Sequence, residues 1–279
     1  MDRLEDYWYT YQRALLPKTA PHIPPHIELL STKYLILNNI LFARWTTMFD
    51  CKMKTEWYYI IKDDHLKIDK LKAKLRYEIN KGNKNFKTNI INPLLCFDNI
   101  FNVFIEAYSA YPEKYRPKLI KNAFEVQIRQ MVEKGYVFIG EFDRIDNKMV
   151  GVAVLECSGD YINYRMHKVL PEQEKRAVNA ALVSGVLSYY ETGEYKYIVD
   201  GERAIKHETG FQNYLIKYFG FRKAYCKLNI LYNPLFRLLV NILYPFREIM
   251  VKFKNSSLLY NVYCVLEQER IRRSFKKCI

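Results

Sequence analysis

An α/β fold built on a mixed, largely antiparallel sheet flanked by helices is predicted by three features of this 279-residue chain. Apolar residues recur at helical spacing through residues 97–135, and the period switches to strand-like alternation at Tyr136. Helix-like and strand-like runs then take turns as far as Tyr232. The resulting order of helix, three strands, helix, strand, helix, strand is that of a sheet covered by helices.

The first third mixes short β-like runs with proline punctuation. "KTAPHIPPHI" (Lys18–Ile27) is a loop, because its proline and pre-proline positions deny it both helix and ladder. "KYLILNNILFARWTTMFD" and "EWYYIIKDD", rich in aromatic and β-branched residues and bounded by Asp, read as strands. Over Ile68–Lys81 the residues Ile68, Leu71, Leu75 and Ile79 lie at helical spacing, and Gly82 stands where a C-cap belongs. This is an amphipathic helix with a basic outer face. "NPLLCFDNIFNVFIEAYSAY" reads as a second helix, and "KLIKNAFEVQIRQMVEKG" as a third, closed by Lys134 and Gly135.

From Tyr136, two apolar runs about the polar turn "DRIDNK" form a β-hairpin, and "DYINYRMHKV" follows as a half-buried strand. Pro171 takes a first helical position, and Ala177, Val178, Ala181, Leu182, Val186 and Leu187 face inward from the helix that follows. "YKYIVD" is a short strand, "FQNYLIKYFG" a helix ended by Gly220, and "RKAYCKLNILY" a final strand. The expected organisation is an N-terminal α/β region (1–112), a core (113–232) and a basic amphipathic helical extension (233–279).

The net charge of +14 is unevenly placed. Residues 61–90 hold nine Lys and Arg against four Asp and Glu, and residues 214–279 hold thirteen against three, while residues 91–213 are nearly balanced. Such blocks favour an anionic partner: RNA, the lipid headgroups of an anionic membrane surface or a phosphorylated cofactor. A solvated basic face is the alternative. The six cysteines form no C-x-x-C pair or Cys/His cluster, which argues against zinc and against a disulfide framework. The N-terminus lacks the basic-then-apolar order of a signal peptide. The longest apolar stretch, Leu235–Met250, is broken by Arg237, Asn241, Pro245 and Arg247. The expected location is therefore cytoplasmic, either in solution or peripheral to the inner face of a membrane.

Tyr136–Tyr232 resembles the GNAT superfamily of acyl-CoA N-acyltransferases. That family is marked by a strand ending in Val-x-Pro and an Arg/Gln-x-x-Gly-x-Gly/Ala loop that opens a helix. Val169, Leu170 and Pro171 fall in register; Glu174 stands where the family has Arg or Gln, and Ala177 and Asn179 where it has glycines. "YLIKYFGF" (Tyr214–Phe221) is similar to the family's helix running into Gly-Phe, with Ile216 at the position of its tyrosine acid. A second likeness, to Fem-type aminoacyltransferases built from GNAT-like halves, rests on the basic helix "KLRYEINKG" and on Lys217 before Gly220. It implies that residues 28–112 are a degenerate first half.

The resemblance implies an acyl-CoA or acetyl-CoA co-substrate, no metal, and an amine acceptor on a small molecule, sugar or lipid precursor. It also implies that a backbone N–H of the strand ending at Val169 polarises the thioester carbonyl. A helix start binds pyrophosphate through its N–H groups and dipole. Lys175 and Arg176 are positioned to replace what Ala177 and Asn179 lack as glycines; an ordinary solvated first turn is the alternative. His167 shares a strand face with Val169 and titrates in a useful range, or else packs structurally. Tyr218 is the candidate acid, although a two-residue shift turns it by roughly 200° from the place of Ile216. Glu202 and His207, in the polar loop with Arg203, Lys206 and Glu208, are candidate substrate contacts, as is Lys217. The expected activity is N-acyl transfer from acyl-CoA. The rivals are a Fem-like transferase using aminoacyl-tRNA and a non-catalytic binding module at a membrane surface.

Overall fold

The computed structural model describes residues 3–111, 113, 116–205, 210–250, 252 and 257–275. In chain order the elements are α1 (Leu4–Tyr7), β1 (Trp8–Tyr11), β2 (Ala14–Pro17), α2 (Thr32–Leu37), β3 (Phe42–Thr47), β4 (Trp57–Lys62), α3 (Ala73–Asn85), β5 (Phe86–Ile91), α4 (Phe97–Ser109) and α5 (Lys121–Glu133). There follow β6 (Val137–Asp143), β7 (Met149–Ser158), β8 (Tyr161–Val169), α6 (Val178–Glu191), β9 (Tyr197–Glu202), α7 (Gly210–Phe219), β10 (Arg222–Tyr232), α8 (Pro234–Leu243), α9 (Arg247–Met250) and α10 (Ser257–Ser274). This is the expected α/β class, with largely antiparallel sheet pairing flanked by helices.

The differences from expectation have local causes. The first half of "KYLILNNILFARWTTMFD" is the helix α2, because the Ser31 side chain accepts a hydrogen bond from the Tyr34 N–H and caps it. Asn39, with φ of 54°, then turns the chain toward β3. The β1–β2 hairpin was not anticipated: Gln12 and Arg13 hold its positive-φ turn, where glycine or asparagine is the usual signal. Gly82 lies inside α3 and not at its C-cap. A Cβ there would lie 2.7 Å from the Ala177 carbonyl oxygen and 2.9 Å from the Ala181 Cβ. Glycine is therefore required for the close crossing of α3 and α6.

The chain divides into two compact units. Unit 1 comprises Met1–Ile60, Glu202–Gly210 and Lys223–Ile279, and unit 2 comprises Ile61–Gly201 and Phe211–Arg222. Strand order in unit 1 is β1-β2-β3-β10-β4. One of its cores gathers Leu4, Trp8, Leu15, Leu35, Ile40 and Ala43. The helix α10 is fixed there by charge: Glu269, buried, accepts from Arg272 at 2.7 Å, from Arg273 at 2.6 Å and from the Tyr232 hydroxyl at 3.0 Å. A buried carboxylate with three donors keeps its charge at tolerable cost.

Strand order in unit 2 is β9-β8-β7-β6-β5. Pairing is antiparallel from β5 to β8 and parallel between β8 and β9. The helix α6 packs over β5 to β8, and α4 packs on β7 and β8. Small and branched apolar residues, among them Val152, Ala153, Val154, Leu182, Val186 and Leu187, are fully buried between them.

Candidate active site

The strands β8 and β9 pair for three residues only: Tyr161 with Tyr197, Ile162 with Ile198 and Asn163 with Val199. Both strands continue after their pairing ends. On its other side β8 keeps pairing with β7, its register shifting between Val154 and Leu155, so that Val169 lies opposite Gly151 and His167 opposite Ala153. The Leu170 N–H donates to the Val150 carbonyl at 2.8 Å, which fixes the phase of that ladder. Bonded and non-bonded pairs alternate in an antiparallel ladder, so the N–H and C=O groups of His167 and Val169 turn away from β7. They face the side on which β9 no longer pairs.

Side chains at this parting form a connected group. The Tyr164 hydroxyl lies 2.6 Å from His167 Nδ1, and His167 Nε2 lies 2.8 Å from Asn179 Oδ1 on α6. The amide oxygen of Asn179 accepts, so Nε2 carries the proton, and Nδ1 accepts from the Tyr164 hydroxyl. Burial pushes His167 down to about 4, against the hydrogen bond to Asn179 that raises it. Burial thus favours the neutral imidazole. Phe211 from α7 stacks on it at 4.4 Å between ring centroids. The Tyr164 hydroxyl is held well above its ordinary value, first by burial and then by the charge of Asp200.

Asp200 ends the inward run of β9, one residue beyond the last pair with β8, and is half-buried. Burial pushes its carboxyl up to about 7, against a hydrogen bond from Gln212 that lowers it. Gln212 on α7 also donates to the Asp200 backbone carbonyl at 2.9 Å. A carboxyl poised near 7 suits general base work at physiological pH.

A second buried acid lies beneath α6. Thr88, Glu141, Gly151 and Val169 form one cross-strand row through β5, β6, β7 and β8. Glu141 is fully buried; its Oε2 accepts from Thr88 Oγ1 at 2.7 Å, and its Oε1 has no hydrogen-bond partner among the described residues. Burial pushes the carboxyl up to about 7. The row explains Gly151, whose place leaves room between Val169, Glu141 and Leu182.

The expected phosphate loop has other occupations. Pro171 opens a 3-10 turn, Pro171–Arg176, and Ala177 takes the left-handed conformation with φ of 70° before α6 begins. Ala177 thus adopts a glycine-like backbone while keeping a buried methyl group. Arg176 pairs with Asp143, its Nη2 donating to Oδ1 at 3.1 Å, and lies over the Phe86 ring. From α3, Lys81 donates to the Lys175 carbonyl at 2.7 Å and Asn85 to the Arg176 carbonyl at 3.0 Å. Lys175 has an exposed side chain. Of the expected cradle, Arg176 is committed to Asp143 and Asn179 to His167.

The remaining candidates lie elsewhere. Tyr218 touches Tyr214, with Lys217 over its ring at 5.0 Å. Glu202 belongs to unit 1, where it pairs with Arg44. His207, with Lys206 and Glu208, lies outside the described residues. Three residues escaped sequence reasoning. Tyr164 is one of 24 tyrosines and carries no signal. Asp200 closing a buried strand, and Glu141 interrupting the apolar run "YVFIGEF", were readable signals. Among the described residues no group of three or more His, Cys, Asp or Glu is placed to hold a metal.

No protein-family model and no characterised protein matches the chain by sequence. Solved structures do match in fold. L-PGS from Bacillus licheniformis is 12% identical with a TM-score of 0.53, covering 94% of this chain and 84% of that one. FemX is 10% identical with a TM-score of 0.51, covering 65% and 63%. A PaiA N-acetyltransferase from Thermoplasma acidophilum, solved with coenzyme A, is 15% identical with a TM-score of 0.31, covering 38% and 72%. The chain shares the fold of the L-PGS and FemX structures.

Proposed function

We propose that the chain moves an aminoacyl group from aminoacyl-tRNA to an amine acceptor at the parted edge of β8. The observation that carries this reading is the end of β8–β9 pairing after Asn163 and Val199, beside outward backbone N–H groups and the raised carboxyl of Asp200. Asp200 takes a proton from the ammonium form of the acceptor, and the free amine nitrogen then attacks the acyl carbon. The N–H of His167 or Val169 donates to the oxyanion that develops. Collapse breaks the ester C–O bond, the ribose oxygen leaves with the proton that the attacking nitrogen gives up, and an amide remains. Tyr164, held by His167 and Asn179, is a positioning residue that keeps this strand segment in place.

The occupied loop supports a tRNA carrier over CoA, because Arg176 and Asn179 already have partners and Ala177 fills a glycine's place. The fold likeness that extends over 94% of the chain in L-PGS supports it as well. The expected acyl-CoA donor stands as a second reading. It is favoured by the first turn of α6, which has no side-chain cap, beside the exposed Lys175.

The test supplies radiolabelled aminoacyl-tRNA or acyl-CoA together with simple amines, and follows label into an alkali-stable amide. Label leaving tRNA is the expected result. Thiol release from acyl-CoA alone would replace the donor, and transfer from neither would remove both readings.

A further inference from the structure

We infer that unit 1 docks on an anionic lipid surface through the outer face of α8 and α9. The helix α8 is apolar on nearly all sides. Its inner residues Phe236, Val240 and Leu243 pack with Phe42, Tyr232 and Leu266. Its outer residues Leu235, Leu238, Leu239 and Ile242 are 81%, 60%, 47% and 57% exposed. At 100° per residue these four fall within about a 100° arc, so they form one stripe and not a scatter. Phe246 and Ile249, also exposed, carry apolar surface on into α9.

The net charge of this segment selects the occupant. Arg237, Arg247 and Lys252 stand against Glu248 as the one acid of residues 234–252; Arg237 lies on the side of α8 turned away from the stripe, and Glu248 accepts from Arg247 at 2.9 Å. Arg237 and Lys252 are exposed. An apolar stripe with basic neighbours fits an anionic bilayer, where acyl chains take the side chains and headgroups take the charge. Among the described residues no helix is long and apolar enough to cross a membrane, so α8 lies on such a surface and does not span it. Docking involves none of the groups at the β8–β9 parting and stands independently of the donor.

The experiment floats the full chain with vesicles of phosphatidylcholine alone or with about 30 mole per cent phosphatidylglycerol, which supplies an anionic surface. Wild type is expected to float with the anionic vesicles, less so as salt is raised. L238E/I242E is expected to lose at least about tenfold in affinity, since two apolar side chains leave the bilayer. R237A/K252A is expected to lose binding to the anionic vesicles while keeping any residual binding to neutral ones. Both variants change exposed positions, so an unchanged melting temperature is expected and confirms that they fold. Absence of wild-type flotation with anionic vesicles at low salt would overturn the inference, as would equal flotation of L238E/I242E. A wild-type dimer in sedimentation that L238E/I242E converts to monomer would overturn it too, by making a second copy the occupant.

Discussion

Asp200→Asn is expected to lower kcat/KM for transfer by about 10²- to 10⁴-fold, the range that a positioned general base contributes. The pH profile carries the sharper expectation. A base works in its ionised form, so wild-type kcat/KM should rise with pH and level off above about 7, where the burial-raised carboxyl has lost its proton. Asp200→Asn should lack that limb. Gln212→Ala removes the hydrogen bond that holds the carboxyl down and should move the limb upward while leaving activity above it largely intact. A limb near 7 that survives in Asp200→Asn, with less than about a tenfold loss, would assign the proton to another group.

Glu141→Gln should make the protein more stable above pH 7 and leave it little changed in acid. In the folded chain burial raises Glu141 from 4.5 to about 7, against the hydrogen bond from Thr88 that lowers it. The sign follows from proton counting. Between about 4.5 and 7 the folded state binds more protons than the unfolded one, so stability falls as pH rises through that window. The favourable contribution of the neutral acid is complete below about 4.5, and its loss is complete above about 7. At roughly 1.4 kcal/mol per pH unit of displacement, the penalty at pH 8 is about 3–4 kcal/mol. Glutamine fills the same volume, can still bond Thr88, and never ionises. Denaturant unfolding at several pH values should therefore give two curves that converge in acid and separate by about that amount in alkali. Parallel curves would show that Glu141 does not carry this linkage. The difference between the two proteins is the informative quantity, since Asp200 shifts in the same direction in both.

Much of unit 2 was legible because its elements announce themselves locally. The hairpin β6–β7, the strand ending at Val169 and the helix stopped by Gly220 at φ of 73° all follow from alternation, period and glycine position. Elements set by distant partners were not legible. Phe86–Ile91 is a strand because it pairs with β6, remote in sequence, and its mixed sequence "FKTNII" carries little propensity of its own. Gly82 looked like a cap because the chain it meets, at Ala177 and Ala181, is remote in sequence. Site residues divide the same way. Placing His167 and Val169 on one strand face needs only a period of two, and the structure brings His167 to Asn179 from the following helix. Arg176 reads as a free cation until Asp143, thirty-three residues earlier, is folded against it. Tyr164 gains meaning only through the imidazole that its hydroxyl reaches.

Backbone amide exchange on β8 tests the central claim most directly. The N–H groups of His167 and Val169 turn toward the side where β9 has stopped pairing, and a donor seated there must hydrogen-bond to them. Exchange measured without ligand, with an amide-linked aminoacyl-tRNA analogue and with coenzyme A should show slowing at His167 and Val169 with the tRNA analogue. Lys168 and Leu170, whose N–H groups face β7, should change little. Slowing confined to other strands, with His167 and Val169 unchanged by either ligand, would contradict the assignment of this edge as the acyl site.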